Sequence, residues 1–78
     1  MRSADDIRST ICSLYSELGK DPNELRHFNV KGYIYYIYRT DGAQTSIRRR
    51  DIDDYFDSED RPAKANILAA LNNFKKKY

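Results

Sequence analysis

Two runs rich in tyrosine, isoleucine and threonine, GYIYYIYR and AQTSIR, flank the short segment Thr40-Asp41-Gly42. Asp-Gly between such runs is among the strongest short-range hairpin signals, because a type I′ turn needs positive φ at both central residues. Taken as a two-residue turn, Asp41 and Gly42 set Thr40 opposite Ala43, Tyr38 opposite Thr45, Tyr36 opposite Ile47 and Ile34 opposite Arg49. Side chains alternate along a strand, so this register sorts the hairpin into two faces. One carries Ile34, Tyr36, Tyr38, Thr45 and Ile47, with Arg49 at its end. The other carries Tyr33, Tyr35, Ile37, Arg39, Gln44, Ser46, Arg48 and Arg50. Ile47 is the one large apolar residue of the second run, so its face is expected to meet the core. Tyr33, Tyr35, Arg39, Arg48 and Arg50 are then expected to face solvent. One observation argues the other way: if LRHFNV pairs as a third strand through Lys31-Gly32, Phe28 and Val30 join the Tyr33/Tyr35 face.

The rest of the chain reads as helix. Ile7, Ile11, Leu14 and Leu18 form a stripe of 3.6-residue period, Ser3 can cap its start, Asp5 and Asp6 suit the positive N-terminal end, and Gly19 can end it. Asp21-Pro22-Asn23 is turn chemistry. In DIDDYFD, Ile52, Tyr55 and Phe56 anchor one or two helical turns. A last helix starts at Ser58 or Asp60 with Pro62 in its first turn, carries the stripe Ile67, Leu71, Phe74 and Tyr78, and ends in Lys75, Lys76 and Lys77. The fold class expected is α+β, one domain over residues 1–78: a small antiparallel sheet of two or three strands, packed on one face by N- and C-terminal helices.

A chain of 78 residues has a core worth roughly 3–5 kcal/mol, which leaves little interior to hollow into an enclosed active site. Cys12 is the only cysteine, so no intramolecular disulfide forms, and a cytoplasmic, reducing setting is expected. The longest strictly apolar run, ILAAL, is far short of a membrane span, and MRSADD lacks a signal peptide's apolar region. Net charge is +2, but acids and bases are segregated: residues 51–60 carry six acids and no base, while residues 26–50 carry six bases and one acid. Such blocks predict a dipolar surface.

Catalytic and metal chemistries find no support. Cys12 has no histidine near it in sequence, and His27 is the only histidine, so neither a nucleophilic pair nor a zinc cluster is indicated. Asp51, Asp53 and Asp57 mimic the start of a calcium loop, but Phe56 stands where the sharp turn needs glycine and Pro62 where a bidentate glutamate should close it. The three glycines, at 19, 32 and 42, are too scattered for a phosphate loop, and no apolar pocket that would split paired carboxylates is evident. No cofactor and no enzymatic activity are expected.

Two surfaces remain. Tyr33, Tyr35, Arg39, Arg48 and Arg50 are of the residue types enriched at protein hot spots, and also of the types that stack bases and contact phosphates. Asp53, Asp54 and Asp57 at helical spacing can imitate a row of phosphates and dock onto a basic groove. Because an acidic block repels phosphate, a protein partner is the first expectation and nucleic acid the alternative. The sequence therefore predicts a non-enzymatic protein-binding module, a small regulator or inhibitor of the phage or mobile-element accessory type. Its expected target is a protein surface, with nucleic-acid-handling complexes among the candidates.

Overall fold

A computed structural model describes residues 3–76. Helix α1 runs Ala4–Glu17, and the Ser3 side chain caps it by accepting from the Asp6 N–H at 3.1 Å. A single 3-10 turn, Pro22–Glu24, follows, with the Asp21 carboxylate accepting from the Asn23 N–H at 2.9 Å. Strands β1 (Leu25–Lys31), β2 (Ile34–Arg39) and β3 (Ala43–Arg48) then form an antiparallel meander. Helices α2 (Arg49–Ser58) and α3 (Arg61–Leu71) follow, and a two-residue strand β4 (Lys75–Lys76) pairs with the start of β3. The sheet order is β1-β2-β3-β4, so the α+β class stands and the sheet has one strand more than expected.

The helices share one face of the sheet. Ile7, Ile11, Leu14 and Tyr15 of α1, Ile52 of α2, and Ile67 and Leu71 of α3 close over Leu25, Tyr35, Ile37 and Ile47. Thr45 sits among these apolar groups, and its hydroxyl donates to the Ala70 carbonyl at 2.7 Å, pinning α3 to β3.

The face expected for β2 is inverted. Tyr35 is only 9% exposed and Ile37 is buried, whereas Tyr36, Tyr38 and Ile34 stand on the side without helices. The cause is a one-residue register difference at the turn. Its loop is Thr40-Asp41-Gly42, with the Gly42 N–H donating to the Arg39 carbonyl at 3.0 Å and only Gly42 at positive φ, +89°. That is a three-residue turn ending in a left-handed glycine, not the two-residue type I′ turn. Tyr35 therefore faces Ile47, Tyr36 faces Ser46 and Ile37 faces Thr45. The inward assignment of Ile47 and Thr45 holds, and a slip of one residue sends β2 to the opposite face. The third strand supports this register: Phe28 pairs with Ile37 and Val30 with Tyr35 across the Gly32-Tyr33 turn, where Gly32 takes φ +60°.

The chain's last part also differs from expectation. α3 stops at Leu71, and the Asn72 N–H closes its end on the Leu68 and Ala69 carbonyls. Phe74 reaches the core from beyond the helix, its ring edge-on to Tyr15 at 5.9 Å. Lys75 and Lys76 are extended; Lys77 and Tyr78 lie outside the described residues.

Candidate functional site

β3 runs into α2 with no intervening loop, so Arg48 ends the strand and Arg49 begins the helix. The Arg49 N–H donates to the Tyr33 carbonyl at 2.8 Å, which fastens the β1–β2 turn against the N-terminus of α2. Tyr33, second of the two central turn residues, has no strand neighbour to cover it and is 81% exposed. Val30, three residues earlier, is 54% exposed, and these two are the exposed large hydrophobic residues among the described ones. Tyr33, Ile34, Arg48, Arg49, Arg50, Asp53 and Asp54 line an open notch of about 650 Å³ at this corner.

Charge in the notch is arranged as pairs. Arg48 Nε lies 3.2 Å from Asp51 Oδ2, and the buried Asp51 also accepts from Asn66 Nδ2 at 3.3 Å, tying α2 to α3. Arg49 reaches Asp53 at 3.9 Å and Arg50 reaches Asp54 at 3.8 Å. Such exposed pairs contribute at most about 0.2–1 kcal/mol each. Against the helix dipole the order is unfavourable. Arg49 and Arg50 occupy the positive N-terminal end, Arg48 supplies no side-chain cap, and Asp57 and Glu59 stand at the negative end. Asp51 alone in the first turn offsets this. The segment DIDDYFD alone would begin this helix at its acids; it begins at Arg49 instead, which puts bases in its first turn.

Of the residues expected to bind a partner, Tyr33, Arg48, Arg50, Asp53 and Asp54 come together in this notch. Tyr35 does not, because the register places it in the core. Arg39 does not, because it lies at the far end of β2. There its Nε and Nη2 donate to the Asp41 carboxylate at 3.0 and 2.7 Å, and its guanidinium stacks on the Phe74 ring at 5.0 Å. That fork, helped by the Ala43 N–H, holds the Asp41 carboxyl well below the usual carboxylate range and raises the Arg39 guanidinium in turn. Beside it the Tyr15 hydroxyl donates to Glu24 at 3.0 Å, and burial pushes its pKa up. Asp57 is exposed one turn beyond Asp53 and outside the notch.

A second surface was missed by sequence reasoning. The helix-free face of the sheet carries His27, Asn29, Lys31, Ile34, Tyr36, Tyr38, Gln44, Ser46, Arg48 and Lys75. His27 and Tyr38 meet edge to face at 6.5 Å. Along β4 the face turns down into a groove of about 510 Å³ lined by Tyr36, Gln44, Ser46, Asn73 and Lys75, among others. The signal that points to Tyr36 and Tyr38 was present in the alternation of Phe28 and Val30 across Lys31-Gly32.

Burial raises the pKa of the half-buried Cys12 thiol, against a smaller opposing effect from Arg8, so it is held away from the nucleophilic thiolate. Among the described residues no group of His, Cys, Asp and Glu side chains is placed to hold a metal ion, and no helix is long and apolar enough to cross a membrane. No protein-family model, curated protein or solved structure matches the chain.

Proposed function

We propose that the protein is a non-enzymatic protein-binding module, a small regulator or inhibitor that occupies a partner's surface through the corner built by Tyr33 and the Arg48–Arg50 row. The observation that carries this reading is the charge order of α2. Two arginines at the positive end of a helix oppose its dipole by about 0.3–1 kcal/mol each, a cost that their exposed pairs with Asp53 and Asp54 at best offset, so they bring the helix no net stability. They stand beside Tyr33, the most exposed of the large hydrophobic residues described. Tyrosine and arginine side chains side by side are the make-up of a hot spot, and pairing with Asp53 and Asp54 gives the notch a balanced charge suited to a mixed protein surface rather than to a polyanion. The same proposal sets the protein in the cytoplasm, where a lone thiol such as Cys12 stays reduced.

Affinity capture from nuclease-treated lysate tests the reading, using the wild-type chain, Tyr33→Ala and Arg50→Ala side by side. A hot-spot truncation costs about 2 kcal/mol or more, so a partner held by the wild type is expected to be lost from both variants by roughly thirtyfold. No partner held by the wild type after nuclease, or one retained equally by both variants, overturns the proposal.

A further inference from the structure

The helix-free face of the sheet is independent of that corner except for Ile34 and Arg48. The chain has twelve acidic residues, yet none stands on this face among the described residues. The acids lie elsewhere: Asp51 under Arg48, Asp53 and Asp54 along α2, Asp60 capping α3, and Asp41 gripped by Arg39. What the face does carry falls into three kinds. Tyr36 and Tyr38 are half-buried rings two residues apart on β2, the spacing that puts both on one side of a strand, and His27 packs beside the second. Asn29, Gln44 and Ser46 offer side-chain donors and acceptors from the flanking strands. Lys31, Arg48 and Lys75 mark three corners, all exposed; Arg48 keeps 63% of its side chain open although its Nε is paired.

We infer that this face binds single-stranded nucleic acid, with bases stacked on Tyr36 and Tyr38 and the backbone held by Lys31, Arg48 and Lys75. Rings in a row, cations at the margins and no carboxylate on the strands themselves complement a single strand whose bases are open and whose backbone is anionic. A duplex keeps its bases stacked inside and presents nothing for the rings to hold, so the complement is the single strand. The neighbouring groove along β4, with Asn73, Lys75 and Gln44, gives the strand a continuation off the sheet edge.

Fluorescence anisotropy with a labelled oligothymidylate of roughly ten nucleotides tests this, with a duplex of equal length and heparin as competitors. Binding at micromolar protein and low salt is expected, with a log–log salt slope near −2, about −0.7 for each of three cations. Tyr36→Ala and Tyr38→Ala are each expected to weaken it roughly 5- to 150-fold, the range for losing one stacked base, while Tyr36→Phe restores it. Both alanine variants should keep the wild-type circular dichroism, since neither ring is in the core. Tyr33→Ala should leave oligonucleotide affinity unchanged, so failure here and failure of the protein-binding corner are read separately. The inference is overturned by no binding at low salt, by duplex or heparin competing as well as the single strand, or by alanine variants that bind like the wild type. A protein captured through Tyr36 and Tyr38 after nuclease, with no oligonucleotide binding, overturns it in favour of a protein occupant.

Discussion

Tyr35 and Tyr36 are neighbours in sequence and opposites in energy. Tyr35 lies against Ile47 within the core and Tyr36 lies opposite Ser46 on the open face. Removing a buried aromatic ring costs about 3–5 kcal/mol, close to everything a core of this size supplies. Tyr35→Ala is therefore expected to lose the cooperative unfolding transition seen by circular dichroism. Tyr36→Ala should shift it by about 1 kcal/mol or less. A Tyr36→Ala chain that unfolds while Tyr35→Ala stays folded would mean that the strand sits in the other register. Composition could not decide between these two tyrosines, because both have the same β preference and the outcome turned on one residue of loop length. The Asp-Gly pair suggests a complete two-residue turn, yet the Asp41 carboxylate accepts from the Ala43 N–H and, within the turn, only Gly42 takes positive φ. Phe28 and Val30, counted across Lys31-Gly32, held the information that resolves it.

At the scale of elements, the helices were legible where a cap and a stripe coincided. Ser3 and Asp60 both accept from backbone N–H groups three residues on, and Ile7, Ile11, Leu14, Ile67 and Leu71 are all buried. The end of α3 was not legible, because Phe74 continues a helical stripe in sequence while reaching the core by another route. Nor was the start of α2, since nothing in its first residues caps it. Its other end offers a prediction. Glu59 closes the helix in the left-handed region at φ 49° and ψ 41°, with its N–H on the Tyr55 carbonyl at 2.8 Å. A side chain there costs about 1 kcal/mol, and a negative charge at the helix C-terminus adds to it. Glu59→Gly is expected to stabilise the chain by about 1 kcal/mol, read as a higher urea midpoint at unchanged slope. A lower midpoint would mean that the Glu59 side chain contributes more than its backbone costs.

Over the whole molecule, the acidic segment that seemed a free block is largely spoken for by arginines and by the α3 cap. The two proposed surfaces respond to it with opposite sign. Replacing Asp53, Asp54 and Asp57 by Asn removes three negative charges and takes the net charge from +2 to +5. Oligonucleotide binding should tighten, most at low salt, because repulsion is lost and Arg49 and Arg50 are released from Asp53 and Asp54. Capture of a protein partner should weaken, because the notch loses its charge balance and its steering. Ile52 remains buried and untouched, so the thermal midpoint is the control. Equal effects of the same sign on both ligands would show that the two faces are one site.

The direct junction of β3 and α2 bears on which changes of length the chain tolerates. An α-helix turns about 100° per residue, so one residue inserted between Arg48 and Arg49 would swing every later α2 side chain by that angle. Ile52 would leave the core, Asp51 would leave Arg48 and Asn66, and the Arg49 N–H would leave the Tyr33 carbonyl. No loop is present there to absorb the turn. Lys20-Asp21, between α1 and the 3-10 turn, and Asn72-Asn73, between α3 and β4, lie outside these elements, so insertions there disturb only single closing hydrogen bonds. Chains that keep this architecture while varying in length should vary at those two places and hold the arginine junction fixed.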